Sequence, residues 1–205
     1  MAGTAFTVCL FAGIWGSSGC LSRPALKIET FAFNTPTDET TNNAARSRVL
    51  GIRKLEIAAP FEGRSLVYRM GEFSYVRDPY AEFLEAPAEE LMNPVRESLR
   101  RQGHFKAVVE SGSALKPDTL VEIYINQMFG DFRQPERPLA ILTMRFTFFD
   151  APNGVPGRVI LQQEYSRSVS LNAPNAAALM KGWNQALAEI LAEVSLDFRN
   201  SEAGK

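Results

Sequence analysis

Two long stretches alternate apolar and polar side chains, which limits this chain to folds that bury one face of an extended sheet. Thr119 to Phe129 sets Val121, Ile123, Ile125, Gln127 and Phe129 against Glu122, Tyr124, Asn126 and Met128. Leu139 to Phe149 sets Ala140, Leu142, Met144, Phe146 and Phe148 against Ile141, Thr143, Arg145, Thr147 and Phe149, and the first set reads as the core face. Successive side chains of a strand point to opposite faces, so a period of two marks a half-buried strand. The segment from Asp150 to Gly157 is rich in Pro, Gly and Asn, the residues of tight turns. Arg158 to Ser170 then returns as a third strand, and the three together predict an antiparallel meander. One face of such a sheet needs a cover.

Helical patterns supply it. From about Pro87 to Gln102, Leu91, Val95 and Leu99 recur at i, i+4 and i+8; Pro87 suits a first turn and Gly103 a C′ position. Pro94 lies inside this run and predicts a kink, or a start near Asn93. From about Pro174 to Phe198, Leu179, Trp183, Leu187, Ile190, Leu191, Val194 and Phe198 form one apolar stripe that should lie on the sheet. Upstream, Leu50 and Ile52 share one parity and Leu55 and Ile57 the other, so that strand requires a bulge. Leu66 to Met70 and Phe73 to Val76, parted by Gly71, read as a hairpin, and Leu26 to Phe33 as a short edge strand. The expected fold is α+β, a mainly antiparallel sheet packed against two helices and preceded by a signal peptide and linker. With 205 residues, 45% of them hydrophobic, one domain with a sizeable core is expected.

The only cysteines are Cys9 and Cys20, so the body from Leu21 onward can form neither a disulfide framework nor a thiolate metal site. Their place directs attention to the N-terminus. Ala5 to Trp15 is an uncharged apolar run, about 16 Å long as a helix, against a hydrocarbon core of about 30 Å. It is too short to span and fits the apolar part of a signal peptide. Gly16, Ser17, Ser18 and Gly19 are the small residues a signal peptidase requires, and Cys20 follows them directly. This junction resembles the bacterial lipobox, in which the thiol carries a diacylglycerol. Cleavage without acylation and an uncleaved anchor are the alternatives. The polar stretch Thr35 to Arg48 reads as a linker. The organisation is therefore a lipoprotein signal peptide over 1–19, a lipidated N-terminus with a short strand and linker over 20–48, the α+β domain over 49–199 and a tail over 200–205. Several acyl chains hold a protein to a bilayer firmly. Leu21 stands where an Asp would signal inner-membrane retention, and by resemblance to that sorting rule the outer membrane is expected.

Residues with catalytic potential are scattered. A net charge of −1 with interspersed signs gives no basis for nucleic-acid binding. His104 is the only histidine and reads as a cap or surface residue; Glu89 and Glu90 complement a helix dipole. Neither a P-loop nor a nucleophile elbow occurs, and neither a cofactor nor a metal site is expected. The chain reads as a non-enzyme. Phe146 and Phe148 belong to the core rather than to a lipid pocket. The hairpin segment is of more interest: Tyr68, Arg69, Phe73 and Tyr75 are residue types that dominate protein–protein hot spots. An ordinary hairpin with a wet face is the other reading.

The order of these pieces is distinctive. Val49-Leu-Gly-Ile-Arg-Lys-Leu-Glu-Ile-Ala-Ala-Pro-Phe, then Leu66-Val-Tyr-Arg, then Phe83-Leu-Glu-Ala-Pro opening a helix, resembles the ABC-type transport auxiliary lipoprotein family, which includes PqiC-like proteins. The strand pair around Arg145-Phe-Thr-Phe-Phe-Asp and Val159-Ile-Leu-Gln-Gln-Glu-Tyr-Ser, followed by a long helix, fits the same pattern. The resemblance implies a periplasm-facing accessory of an ABC transporter with an MCE-type substrate-binding protein and a permease, moving lipids between envelope membranes. It also admits a homo-oligomer. A structural or regulatory envelope lipoprotein, such as an assembly factor or enzyme activator, is the rival reading.

Overall fold

The central strand takes its length from the alternating segment read above. In the computed structural model, which describes residues 27–34, 47–110 and 112–203, this is β6 (Thr119–Asp131). Strands β7 (Leu139–Asp150) and β8 (Val159–Ser170) follow it in an antiparallel meander. Val121, Ile123 and Ile125 sit opposite Phe148, Phe146 and Met144, and all six are buried. A bulge between Ile125 and Gln127 then inverts the alternation. Met128 faces Leu142 in the core, while Gln127 and Phe129 move to the opposite face. Reading β6 as one regular strand thus places Gln127 and Phe129 on the wrong side, because a bulge exchanges the two faces beyond it.

The other edge of β6 is shared by two strands laid end to end. Strand β2 (Val49–Ile57) runs parallel to its first half, Leu50 opposite Thr119 and Ile57 opposite Ile125. Strand β3 (Ser65–Arg69) takes the second half, with Tyr68 opposite Gly130 and Arg69 opposite Asp131. The expected bulge in β2 falls between Ile52 and Lys54 and brings Leu50, Ile52, Leu55 and Ile57 all into the core. Beyond β2 lies β5 (Ala107–Glu110), and beyond β3 come β4 (Tyr75–Phe83) and the edge strand β1 (Glu29–Phe31). The longest ladders are antiparallel; β1–β4, β2–β5, β2–β6 and β3–β6 are parallel.

Both helices cover the same face. Helix α1 (Pro87–Arg101) buries Leu91, Val95 and Leu99 and continues through Pro94, so it starts at Pro87 rather than near Asn93. Gly103 follows with φ 66°, the left-handed conformation that a C′ glycine accommodates. Helix α2 (Ala176–Ala203) is capped by Asn175, whose Oδ1 accepts the Ala178 N–H at 2.9 Å. Its apolar stripe lies on β7 and β8, and the Trp183 indole donates to the Ile141 carbonyl at 3.0 Å. A side chain at Gly182 would stand 2.7 Å from the Ala140 Cβ, so only glycine lets helix and sheet approach this closely here. Cys20, the leader and most of the linker lie outside the described residues. No described helix is long and apolar enough to cross a membrane.

A candidate docking surface at the β3–β4 hairpin

The face opposite the helices is wet over most of its area. Glu122 pairs with Arg53, Lys54 with Glu56 at 3.0 Å, and Asn126 with Glu164. The Arg145 guanidinium lies 5.4 Å from the Tyr124 ring centroid. Polar groups that face water in this way need no covering partner.

The end of that face formed by β3 and β4 is different. The bulge in β6 delivers Phe129 here, and the turn Ala59–Phe61 between β2 and β3 lays Phe61 over it with centroids 5.9 Å apart. Tyr75, the first residue of β4, meets the same Phe129 edge-on at 5.5 Å. Around these rings a cleft of about 330 Å³ opens between Pro60, Phe61, Val67, Tyr75, Val76 and Arg77. The Arg77 guanidinium donates to the Pro60 carbonyl at 2.8 Å and closes one side. Tyr75 and Val76 remain about half exposed. Aromatic walls around a partly open cleft, with arginine at the margin, make up the composition of a protein-binding hot spot.

The four residues singled out in the hairpin take different positions. Tyr68 turns toward the helix side, stacks on Phe132 at 4.8 Å and donates its hydroxyl to Asp78. Burial, with the Asp78 carboxylate beside it, pushes the Tyr68 hydroxyl well above the usual tyrosine range. Asp78 in turn accepts the Tyr80 and Ala81 N–H groups at 2.8 and 3.1 Å, fixing the kink where β4 departs from β3. Arg69 lies on the open side, 5.8 Å from the Tyr75 centroid, and donates to the carbonyls of Gly71 and Glu72. Those bonds hold the Met70–Ser74 turn, and Phe73 projects from it with 89% of its surface exposed. Arg69 and Tyr75 therefore share one surface, Tyr68 supports the hairpin from the other side, and Phe73 stands at the tip.

Nearby, Arg133 grips both Asp131 oxygens, at 2.9 and 2.6 Å, and holds that carboxyl below the usual range. His104 is half-buried, its Nε2 2.7 Å from the Ser195 hydroxyl, and ties the end of α1 to α2. Phe146 and Phe148 are buried beneath α2, as their alternation predicts. Among the described residues no three His, Cys, Asp or Glu side chains converge to hold a metal. Sequence reading missed Pro60, Phe61 and Phe129 as parts of this surface; the Ala-Ala-Pro-Phe that ends β2 was the available signal.

The sequence profile of the family described as the ABC-type transport auxiliary lipoprotein component matches residues 31–195, nearly all of the described domain and the whole hairpin. The chain belongs to that family. No curated protein matches it. Among solved structures, this auxiliary lipoprotein is similar to protein XCC0632 from Xanthomonas campestris, assigned to the family DUF330. The identity is 14%, the match covers 86% of this chain and 100% of that one, and the TM-score is 0.70. A second crystal structure, of an uncharacterised protein, is 13% identical over 82% of this chain and 99% of its own, with a TM-score of 0.63. At such identities the likeness shows the auxiliary lipoprotein's fold alone.

Proposed function

We propose that this protein is the lipid-anchored auxiliary subunit of an MCE-type ABC transporter that moves lipids between the two envelope membranes. In this reading the apolar leader is removed and Cys20 is acylated. The domain is thereby held at the outer membrane, facing the periplasm, and docks on the MCE substrate-binding protein or the permease through the Phe61–Tyr75 cleft. Arg69 and Tyr75 make the contact and Tyr68 keeps the hairpin in position. The observation that carries the reading is the family match over residues 31–195, since that family is described as a transport auxiliary component. The cleft supports it as a described surface where aromatic groups lie partly exposed beside arginine, without a covering element. ATP hydrolysis and translocation belong to other subunits in this scheme, and the role of this chain is attachment and positioning.

A photo-crosslinking side chain placed at Val76 in the full-length protein, expressed in its own cells, tests the docking. Crosslinks to an MCE or permease subunit are expected. Normal protein levels with crosslinks only to unrelated envelope proteins would rule the transporter role out.

A further inference from the structure

Strand direction brings Lys27 and Ile28, ahead of β1, into the sheet from the same side of the molecule as the hairpin tip. Strand β4 begins beside the tip at Tyr75 and runs away from it. Strand β1 pairs with β4 in parallel, Glu29 opposite Ala81 and Phe31 opposite Phe83, so β1 also runs away from the tip. The residues preceding Glu29 therefore enter the sheet from the tip's side. Cys20 to Glu29 reaches at most about 30 Å when extended. The strand from Tyr75 to Ala81 occupies about 20 Å. Such a reach is long enough for acyl chains on Cys20 to lie level with the Met70–Ser74 turn.

What the turn presents at that level is apolar. Phe73 is 89% exposed and Met70 50%, and neither ring nor thioether is needed to hold the turn. Met70 N–H bonds to the Ser74 carbonyl at 2.9 Å, and Arg69 ties down the carbonyls of Gly71 and Glu72. The charges beside the tip balance: Arg69 and Arg133 stand with Glu72 and Asp131. Electrostatic attraction to an anionic surface is therefore not the driving force.

We propose that the Met70–Ser74 turn is a second membrane contact, Phe73 and Met70 entering the headgroup–acyl boundary of the bilayer that holds the anchor. This rests on the acylation of Cys20 proposed above. One aromatic side chain is too little to recruit a free protein to a bilayer, but an anchor beside it makes the second contact effectively intramolecular. The two contacts together fix the domain's orientation and leave the Phe61–Tyr75 cleft at a defined height above the membrane.

The test is full-length Phe73→Trp, reconstituted in vesicles of phosphatidylethanolamine and phosphatidylglycerol with brominated acyl chains, its acylation read by mass spectrometry. Once cleavage before Cys20 has removed Trp15, Trp183, buried beneath the sheet, is the constant background. The introduced indole should shift its emission to the blue and lose intensity to the bromines, unchanged at high salt, and Met70→Trp should behave alike. If the protein is acylated and vesicle-bound while both indoles keep the emission of an aqueous site, the tip contact is wrong and the anchor stands. A blue shift without bromine quenching would instead mean that protein covers the tip, which also overturns the proposal. Absence of acylation would remove the anchor and the tip contact together.

Discussion

Tyr68 illustrates how a residue chosen for its surface chemistry can act through the interior. Its ring packs on Phe132, and its hydroxyl donates to a carboxylate that two backbone N–H groups also address. Hydrogen bonds to charged acceptors contribute about 1.5–3 kcal/mol where they are protected from water. Here Asp78 keeps two other donors and is partly exposed, so Tyr68→Phe is expected to cost about 1 kcal/mol. Urea denaturation should detect that as an earlier midpoint at an unchanged slope. An unaltered midpoint would mean that the hydroxyl is equally satisfied by water. Arg69 is the contrasting case, since its partners are carbonyls of a turn and the face of Tyr75. Its loss should affect the turn more than the core.

At the scale of elements, α1 shows electrostatics set by spacing. Glu97 accepts from Arg100 and from Arg101, three and four residues on, and the Arg100 hydrogen bond leads in holding its carboxyl down to about 2. A depressed folded-state value stabilises above the ordinary value of about 4.5, and that stability disappears as pH falls from there toward 2. The group is close to solvent, so the contribution is about 1 kcal/mol or less. Wild-type stability should therefore fall more steeply between these limits than that of Glu97→Gln, as followed by denaturation midpoints across the range. Parallel slopes would contradict the assignment. The element types themselves were legible in the sequence: the meander, both helical stripes and the bulge in β2 follow from periodicity. The bulge at Asn126 was not, because the sequence on both sides of it alternates without interruption. Strand β5 and the parallel pairings were also hidden, since a four-residue strand carries no period and its partners are remote in the chain. Consequently Tyr75 and Arg69 could be read as surface candidates, but Phe129, which the hidden bulge turns toward them, could not.

Over the whole molecule, the wing formed by β1, β3 and β4 raises the question of how the docking surface is held to the rest. Its ladder to β6 amounts to Tyr68 opposite Gly130 and Arg69 opposite Asp131, which is little for three strands. Stacked aromatic rings make the stronger connection. Phe33 stacks on Phe83 at 6.0 Å, and Phe83 stacks on Trp183 of α2 at 5.7 Å, all three buried. Truncating a buried phenylalanine costs about 3–5 kcal/mol, a large part of a typical domain's 5–15 kcal/mol. Phe83→Ala should accordingly do more than lower stability, since it removes the stacked link between wing and helix while the β6–β7–β8 meander retains its own core. Trp183 is the tryptophan of the folded body, the other being Trp15, outside the described residues, so its fluorescence reports on that junction. In the wild type, fluorescence and far-ultraviolet circular dichroism should follow one unfolding curve, because buried residues of both parts form a single cluster. In Phe83→Ala the fluorescence transition should come first, with the loss of sheet signal following at higher denaturant. Coincident curves in the variant would mean that the wing is joined to the body by its strand ladder after all, and that the aromatic stack only fills space.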